Sequence, residues 1–134
     1  MRSSTGRNRN KDYGFSVDYP AQIPPQEFHD RGYALTVLFQ GAAGEPGFEI
    51  AVAPINGTTI TPERFNRDAP SGVKLEPHDT VIDGAPGIAF FGFDARLGQT
   101  REIWFIHNHF LYEVTTYKEL DSDLSEIMKT WRFI

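Results

Sequence analysis

The chain contains no cysteine among its 134 residues. Thiol nucleophiles, disulfides, iron–sulfur clusters and cysteine-ligated zinc are therefore excluded. Long hydrophobic runs are missing too, since every apolar stretch falls well short of the ~20 residues that a membrane-spanning helix needs. No segment has the basic start and apolar core of a secretory signal peptide. We expect an exported or membrane-tethered protein if a signal or anchor precedes Met1 in the gene, and a cytoplasmic protein otherwise.

The sequence also lacks the short motifs of common catalytic sites. No Gly-x-Ser-x-Gly element occurs that would place a serine nucleophile at the end of a strand. Gly92, Gly98 and the glycines of residues 41–47 do not form a phosphate-binding loop followed by a helix. The sequence therefore predicts no catalytic residue and no cofactor. A hydrolytic enzyme assembled from distant residues is the least favoured functional hypothesis.

Positive charge is scarce outside the first residues. Residues 1–12 contain four cationic side chains against Asp12, a charge of +3, which leaves −8 for the rest of a chain whose net charge is −5. An acidic body binds nucleic acid poorly, because phosphate contacts need clustered lysine and arginine. Since the first twelve residues are polar and terminal, we expect them to form a disordered basic arm.

Large aromatic side chains are plentiful, and they concentrate in residues 85–117. Three apolar runs lie there, joined by turn signals at residues 97–99 and at Asn108. Apolar residues fill odd and even positions alike, as in Phe90 with Phe91 and Trp104 with Phe105. Because side chains alternate between the two faces of a strand, these runs are apolar on both faces. They predict three antiparallel strands in the middle of a sheet, with a layer packed on each side.

Weaker signals flank these central strands. Residues 13–19, 33–39 and 48–53 have the alternation or β-branched content of strands, and an edge strand is predicted near residues 80–82. Pro24 and Pro25 are expected to keep their stretch out of regular structure. Thr61 followed by Pro62 predicts the start of a short helix.

A C-terminal helix is the strongest helical signal. Its apolar stripe consists of Leu120, Leu124, Ile127, Met128 and Trp131. Three residues are candidate N-caps, namely Asp121, Ser122 and Asp123. Residues 132–134 form a candidate terminal strand. We therefore predict one α+β domain over residues 13–134, an antiparallel β-sheet of about six to seven strands flanked by helices in an α/β/α sandwich.

This order of signals resembles the Mog1/PsbP-like family. The matching features are an aromatic strand that ends in Tyr19-Pro20, a hairpin of the type Trp104…Asn108…Leu111-Tyr112-Glu113-Val114, and a helix that runs into Thr130-Trp131-Arg132-Phe133. The resemblance spans nearly all of residues 13–134. It departs at residues 21–31, which are unusually acidic and proline-rich, and where no tryptophan follows Pro20. The resemblance implies an antiparallel sheet between helices and a role in binding or assembly.

His107 and His109 are candidate metal ligands, because two histidines at this spacing share one face of a strand. A third ligand would have to come from elsewhere, for example His78 or Asp79. Asn108 between the histidines favours a hairpin turn with positive φ, and we prefer a solvated turn to a metal site. The HNH letters do not indicate a nuclease, since no helix follows them.

Two further groups of residues have a structural and a functional interpretation. Glu76, Asp79 and Asp83 offer oxygen ligands for a hard cation, but they lack calcium-loop spacing and suit a solvated sheet edge. Trp104 and Trp131 are suited to lining a pocket, but we favour core packing for both, at a cost of ~3–5 kcal/mol for replacement by alanine.

The leading functional hypothesis is a non-catalytic protein-interaction or assembly module, whose partner is another protein of unknown identity and whose oligomeric state is not predicted. The alternative is a small-ligand or metal-binding domain, with residues 22–31 and the turn at 107–109 as candidate sites. A deep pocket lined by several buried titratable groups would count against the first hypothesis.

Overall fold

A seven-stranded antiparallel sheet forms the centre of the protein in a computed structural model that describes residues 5–42 and 45–134. In chain order its strands are β3 (Pro25–Phe28), β4 (Leu35–Phe39), β5 (Phe48–Pro54), β6 (Leu75–Ile82), β7 (Ala85–Asp94), β8 (Gly98–His107) and β9 (Phe110–Tyr117). Their order across the sheet is β3-β4-β5-β9-β8-β7-β6. The α+β class and the predicted number of strands in this sheet are confirmed.

Both faces of the central strands are buried, as their sequence predicts. Phe105 belongs to a large cluster on one face, whereas Phe90 and Trp104 belong to a smaller cluster on the other face. Phe90, Trp104 and Phe105 are at most 2% exposed. Phe91 is partly exposed, and the guanidinium of Arg101 lies 4.4 Å from its ring centroid. The central sheet is therefore the middle layer of the fold.

A second, three-stranded sheet packs on the large cluster and contains both ends of the described chain. Its strands are β1 (Thr5–Asn10), β2 (Phe15–Pro20) and β10 (Arg132–Phe133), in the order β1-β2-β10. The expected disorder of residues 1–12 is wrong for Thr5–Asn10, because these residues pair with β2 and because Arg7 bonds Asp18 and Ser16. Residues 1–4 lie outside the described residues. The predicted terminal strand is confirmed as β10.

A short edge strand occupies part of the segment that we expected to be irregular. Strand β3 begins at Pro25 and pairs with β4. Proline is compatible with the first residue of an edge strand, where its missing N–H breaks no ladder hydrogen bond. The two prolines therefore did not prevent a strand.

Two α-helices cover the two faces of the large sheet. Helix α1 (Pro62–Asp68) begins as predicted, with the Thr61 hydroxyl accepting a hydrogen bond from the Arg64 N–H. Helix α2 (Asp121–Met128) follows a 3-10 turn at Lys118–Leu120, and its N-cap is Leu120 without a side-chain cap. The predicted aspartate or serine cap is wrong, because the 3-10 turn already places Asp121 in helical backbone.

The two helices differ in how much of the sheet they cover. Leu124 and Met128 of α2 and the adjacent Trp131 are buried in the large cluster. Helix α1 contributes a single buried side chain, Phe65, which packs against Phe90 and Trp104. Because α1 has only seven residues, it covers part of one face of the large sheet and leaves the rest of that face open.

Candidate functional site

The open half of the sheet is the floor of a cleft of about 770 Å³. Strands β5, β8 and β9 supply the floor. The walls are residues 31–33, the segment that follows α1 and the turn between β7 and β8. Five carboxyl groups line the cleft, namely Glu49, Asp68, Asp94, Glu102 and Glu113. The two arginines are Arg31 and Arg96, so acidic groups predominate.

Strand register places the floor residues in two rows across the sheet. In one row, Glu113 of β9 lies between Ala51 of β5 and Trp104 of β8. In the next row, Thr115 of β9 lies between Glu49 of β5 and Glu102 of β8. Because alternate residues of a strand share a face, Glu113 and Thr115 point to the same side as Leu111 of the smaller cluster. The floor is therefore apolar under α1 and acidic beyond it.

Glu113 is the most deeply buried carboxyl of the cleft, with 5% of its surface exposed. The Tyr33 hydroxyl donates a hydrogen bond to its Oε1 across 2.9 Å. Its Oε2 is buried as well, and the side chain hydrogen-bonds the neighbouring Asp68 carboxyl. Burial raises the pKa of Glu113 to about 10, and the neighbouring Asp68 carboxylate raises it as well. Glu113 is therefore a neutral acid at pH 7.

Asp68 is the charged partner of this acid. Burial opposes its ionisation, but hydrogen bonds from the neutral Glu113 acid and from Arg64 outweigh burial and lower the pKa of Asp68. Arg64 Nε lies 2.7 Å from Asp68 Oδ2, and both side chains are largely buried. Two carboxyls so close together cannot both ionise cheaply, because like charges raise one pKa strongly. The pair therefore holds one proton, on Glu113.

Glu102 lies at the centre of the floor and is hydrogen-bonded by two neighbouring side chains. Its Oε1 accepts hydrogen bonds from the Trp104 indole N–H across 3.0 Å and from the Thr115 hydroxyl across 2.7 Å. Burial raises the pKa of Glu102, against the effect of these donors. Trp104 is thus both a core residue, as predicted, and a wall of the cleft.

The mouth of the cleft has loosely paired charges. Arg96 lies 3.7 Å from both Glu49 and Asp94, and 63% of its side chain is exposed. Ion pairs this exposed contribute little to stability, ~0–1 kcal/mol. A cationic group of another molecule can therefore take the place of Arg96 beside Glu49 and Asp94.

The candidate metal ligands lie elsewhere, on the sheet edge and in a turn. His78 of β6 pairs with Ala89 of β7, which in turn pairs with Ile103 of β8. His107 lies further along β8, roughly 13 Å from Ile103 at about 3.3 Å per residue. Asn108 and His109 have φ of 50° and 68°, which confirms the predicted turn. Among the described residues, no three histidine, aspartate or glutamate side chains are placed to hold a metal ion.

The other sequence candidates have structural surroundings. Glu76, Asp79 and Asp83 are exposed on or beside edge strand β6, and Asp83 accepts the backbone N–H of Phe133 across 2.9 Å. His107 stacks on the Phe133 ring, with centroids 3.8 Å apart. Of the suspected segment 22–31, Arg31 reaches the cleft.

Sequence reasoning missed Glu102 and Glu113. Both are lone carboxyl residues within strands that we had predicted to be buried on both faces. A charged residue at such a position is rarely fully buried without a partner, and its burial often marks a functional site. That signal was present in the sequence, but its partners Tyr33 and Asp68 were not recognisable.

A smaller apolar groove of about 580 Å³ lies on the opposite side of the sheet, beside α2. Its floor includes Ile23, Phe48 and Leu124, and its rim includes Asp123 and Glu126. This groove provides a comparison surface for experiments on the cleft.

Comparisons with known proteins bear on the fold. Neither a family model nor a curated protein sequence matches the chain. The solution structure of cyanobacterial PsbP (CyanoP) from Synechocystis sp. PCC 6803 is similar, with a TM-score of 0.69 and 12% sequence identity, over 100% of this chain and 95% of that chain. At this identity the similarity defines a class of fold. The protein has an α+β fold of the PsbP-like kind.

The same comparison bears on the family resemblance in part. Of the Mog1/PsbP-like resemblance, it supports the PsbP-like part, as a similarity of fold. Within the part of the chain that the structure describes, no helix is long and apolar enough to cross a membrane.

Proposed function

We propose that this protein is a non-catalytic interaction module that binds another protein through the cleft, and that the partner presents a basic segment there. The observation that carries the proposal is the half-open sheet face, which five carboxyl groups and two arginines line. Glu113 is neutral and Asp68 is paired with Arg64, so the carboxyls that a basic segment would meet are Glu49, Asp94 and Glu102. Complementary charge guides association and selects the partner. Phe93 lines the cleft with 48% of its surface exposed, and it adds apolar surface for the stems of lysine or arginine side chains.

The protonation states of Tyr33 and Glu113 favour binding over catalysis at these two groups. Burial raises the pKa of Tyr33 far above its usual value and that of Glu113 to about 10. Both groups therefore keep their protons at neutral pH. General acid–base catalysis is most effective with a pKa near the operating pH, and neither group meets that condition.

A small-ligand-binding domain is the second candidate. The sequence hypothesis regarded a deep pocket lined by several buried titratable groups as evidence against a protein-interaction module, and the cleft has Tyr33, Glu102 and Glu113 in its walls. A small cation would use the same charges as a basic segment of a protein. The experiments therefore include both kinds of probe.

The proposal is tested by titrating the ¹⁵N-labelled protein with an arginine–serine hexapeptide and recording amide chemical shifts. We expect saturable shifts at Ala51, Glu102 and Thr115, with no effect of the matching glutamate–serine peptide. Binding should weaken with added salt, because the Debye length falls from ~10 Å at 0.1 M to ~3 Å at 1 M ionic strength.

A matched pair of variants distinguishes the effect of a charge in the cleft from the effect of the net charge of the protein. Glu102→Gln removes one carboxylate from the floor, whereas Glu126→Gln removes one from α2, where its side chain is 72% exposed. Glu102→Gln should weaken binding about tenfold, equivalent to ~1.4 kcal/mol, and Glu126→Gln should not change it. Shifts that are absent, or that map to the apolar groove beside α2, would contradict the proposal.

A further inference from the structure

The outer face of the three-stranded sheet carries two arginines with a serine between them. Arg9 of β1 and Arg132 of β10 both lie opposite Ser16 of β2, and we call these three residues the arginine row. Because neighbouring strands are separated by ~4.8 Å, the two arginine Cα atoms are about 10 Å apart. Both arginines are exposed, and Arg9 takes part in none of the ion pairs within residues 5–42 and 45–134.

The floor of the cleft has a row with the same layout and the opposite charge. Glu49 of β5 and Glu102 of β8 both lie opposite Thr115 of β9, and we call these three residues the glutamate row. Its two carboxyl residues are also separated by two strand spacings, about 10 Å. The rows therefore match in length. Arginine and carboxylate side chains form strong pairs, which are often bidentate.

The two rows lie on opposite sides of the molecule. Ser16 alternates along β2 with Phe15 and Val17, which are buried in the large cluster between the two sheets. The arginine row therefore points away from the large sheet. The glutamate row lies on the other face of the large sheet, on the side of the smaller cluster that contains Leu111. One molecule cannot bring its own two rows together.

The groups of both rows are available to a partner. The Nη1 atom of Arg132 donates to the Lys129 and Trp131 carbonyl oxygens, which orients the guanidinium and leaves its other nitrogens to donate elsewhere. In the cleft, Glu49 is paired only with the exposed Arg96, across 3.7 Å. Exposed pairs of this kind are weak, so an incoming arginine can replace Arg96.

We propose that the partner of the cleft is a second copy of this chain, whose arginine row docks on the glutamate row. The inference rests on the proposed function in that it uses the same cleft. It names the partner and the basic surface that the partner presents.

The arrangement sets the form and the strength of the assembly. Each copy offers its arginine row to one neighbour and its cleft to another, so the contact is heterologous and the assembly grows as an open chain. The outer face is three strands wide, and β1 has six residues, which gives a face of about 20 Å by 10 Å. A standard stable interface buries ~800 Å² on each partner. The association is therefore weak, and it requires a high protein concentration.

Sedimentation velocity at increasing protein concentration tests the inference. We expect the average sedimentation coefficient to rise without a plateau at the dimer in low salt. The rise should disappear at 1 M salt, where the Debye length is ~3 Å. The arginine–serine hexapeptide and butylguanidinium, a small cation, should dissociate the chains because they compete for the cleft.

Two variants disable one row each. Arg9→Glu reverses a charge of the arginine row, and a double variant with Glu49→Gln and Glu102→Gln neutralises the glutamate row. Each should lower the association constant about a hundredfold, because complementary charges no longer face each other. An equimolar mixture of the two should form dimers that grow no further, since it combines one intact cleft with one intact arginine row.

A control variant tests for the effect of net charge. Lys118→Glu changes the net charge as much as Arg9→Glu does, at an exposed position outside both rows, and it should associate like the unmodified protein. Amide spectra check that each variant is folded. Arg9→Gln, with an expected loss of about tenfold, takes the place of Arg9→Glu should the reversal unfold the small sheet.

Three results would overturn the inference. These are a protein that stays monomeric at every concentration, association that survives in both variants, and a mixture of the variants that forms no dimer. Shifts of the Arg9 and Arg132 amide signals with phosphatidylglycerol bicelles, in a protein that does not associate, would assign the arginine row to an anionic surface instead.

The outcomes also distinguish this inference from the proposed function. Binding of the hexapeptide in the cleft of a protein that does not associate keeps the interaction module and refutes the second copy as its partner. Association that is lost in the glutamine variant, without binding of the hexapeptide, supports the second copy and refutes recognition of an isolated basic segment. Absence of both association and peptide binding refutes both proposals.

Discussion

Tyr33 donates a hydrogen bond to Glu113 across 2.9 Å, although 80 positions separate the two residues in the chain. The bond joins the segment before β4 to the middle of β9 and closes the inner end of the cleft. Its acceptor is a buried acid that also hydrogen-bonds Asp68. The cleft and the stability of the sheet therefore depend on the same pair.

Replacement of Tyr33 by phenylalanine should destabilise the protein by about 1–3 kcal/mol, because it leaves a buried acceptor of Glu113 without its donor. Urea unfolding measures the change. Tyr13→Phe is the matched control, since its hydroxyl makes a long contact of 3.4 Å to the Ala34 carbonyl. We expect a smaller loss of stability in Tyr13→Phe. Equal losses in the two variants would show that the Tyr33 hydrogen bond contributes no more to stability than the long Tyr13 contact.

The pKa of Glu113 predicts how stability depends on pH. The folded-state pKa is raised to about 10, so between the unfolded pKa and pH 10 the native state binds a proton that the unfolded state has lost. Stability due to this group is therefore fully present below pH ~4 and decreases as pH rises, by up to about 1.4 kcal/mol per pH unit. Urea unfolding at several pH values between 5 and 8.5 measures the slope.

Glu113→Gln isolates this contribution, because a glutamine side chain does not titrate. The variant should gain stability relative to the unmodified protein as pH rises through this window. Glu126→Gln on α2, where the side chain is 72% exposed, is the control for the loss of one carboxylate outside the cleft. A constant difference between Glu113→Gln and the unmodified protein would mean that Glu113 is ionised in the native state.

Trp131 is expected to be a main support of the core. It is fully buried and stacks on Phe15, with ring centroids 4.6 Å apart. Trp131→Ala should cost ~3–5 kcal/mol, a large part of the ~5–15 kcal/mol that stabilises a typical domain. Urea unfolding or the yield of soluble protein tests this. Phe93→Ala removes an aromatic ring that is 48% exposed, and it should change stability by less than ~0.5 kcal/mol.

The turn between β8 and β9 should tolerate, and benefit from, a glycine. His109 has φ of 68°, in the left-handed region that favours glycine over residues with a Cβ. His109→Gly should stabilise the protein by about 0.5–1 kcal/mol, measured by urea unfolding, because Asn-Gly is a preferred pair in two-residue hairpins. His107→Gly, in β8, removes the stacking on Phe133 and should destabilise the protein. A loss of stability in His109→Gly would indicate a contact of the imidazole that outweighs the turn preference.

The fold could be predicted to a large extent from local patterns. The alternation of apolar residues on both sides of residues 88–91 and 103–106 placed these strands in the middle layer, and Thr61-Pro62 placed the start of α1. The predictions were wrong where pairing with a neighbouring strand, and not the local pattern, decides the structure. Thr5–Asn10 is polar and becomes a strand because β2 offers it an edge, and Pro25–Phe28 does so beside β4.

The candidate site could be predicted in one respect only. Glu102 and Glu113 are visible in the sequence as carboxyls within buried strands, and that burial follows from the apolar pattern around them. Their partners come from distant segments, because Tyr33 and Asp68 reach Glu113 through the register of the sheet and the position of α1. The metal ligands suggested by spacing along the chain lie on a sheet edge and in a turn instead.

The sequence by itself determined the layers of this protein, since the period of its apolar residues dictates which strands must be covered on both faces. The tertiary structure alone decided where that cover ends. Helix α1 is too short to shield the whole sheet, so an acidic cleft opens beside it. The proton on Glu113 follows from that geometry, because burial and a neighbouring carboxylate raise its pKa, and neither can be read from the order of residues.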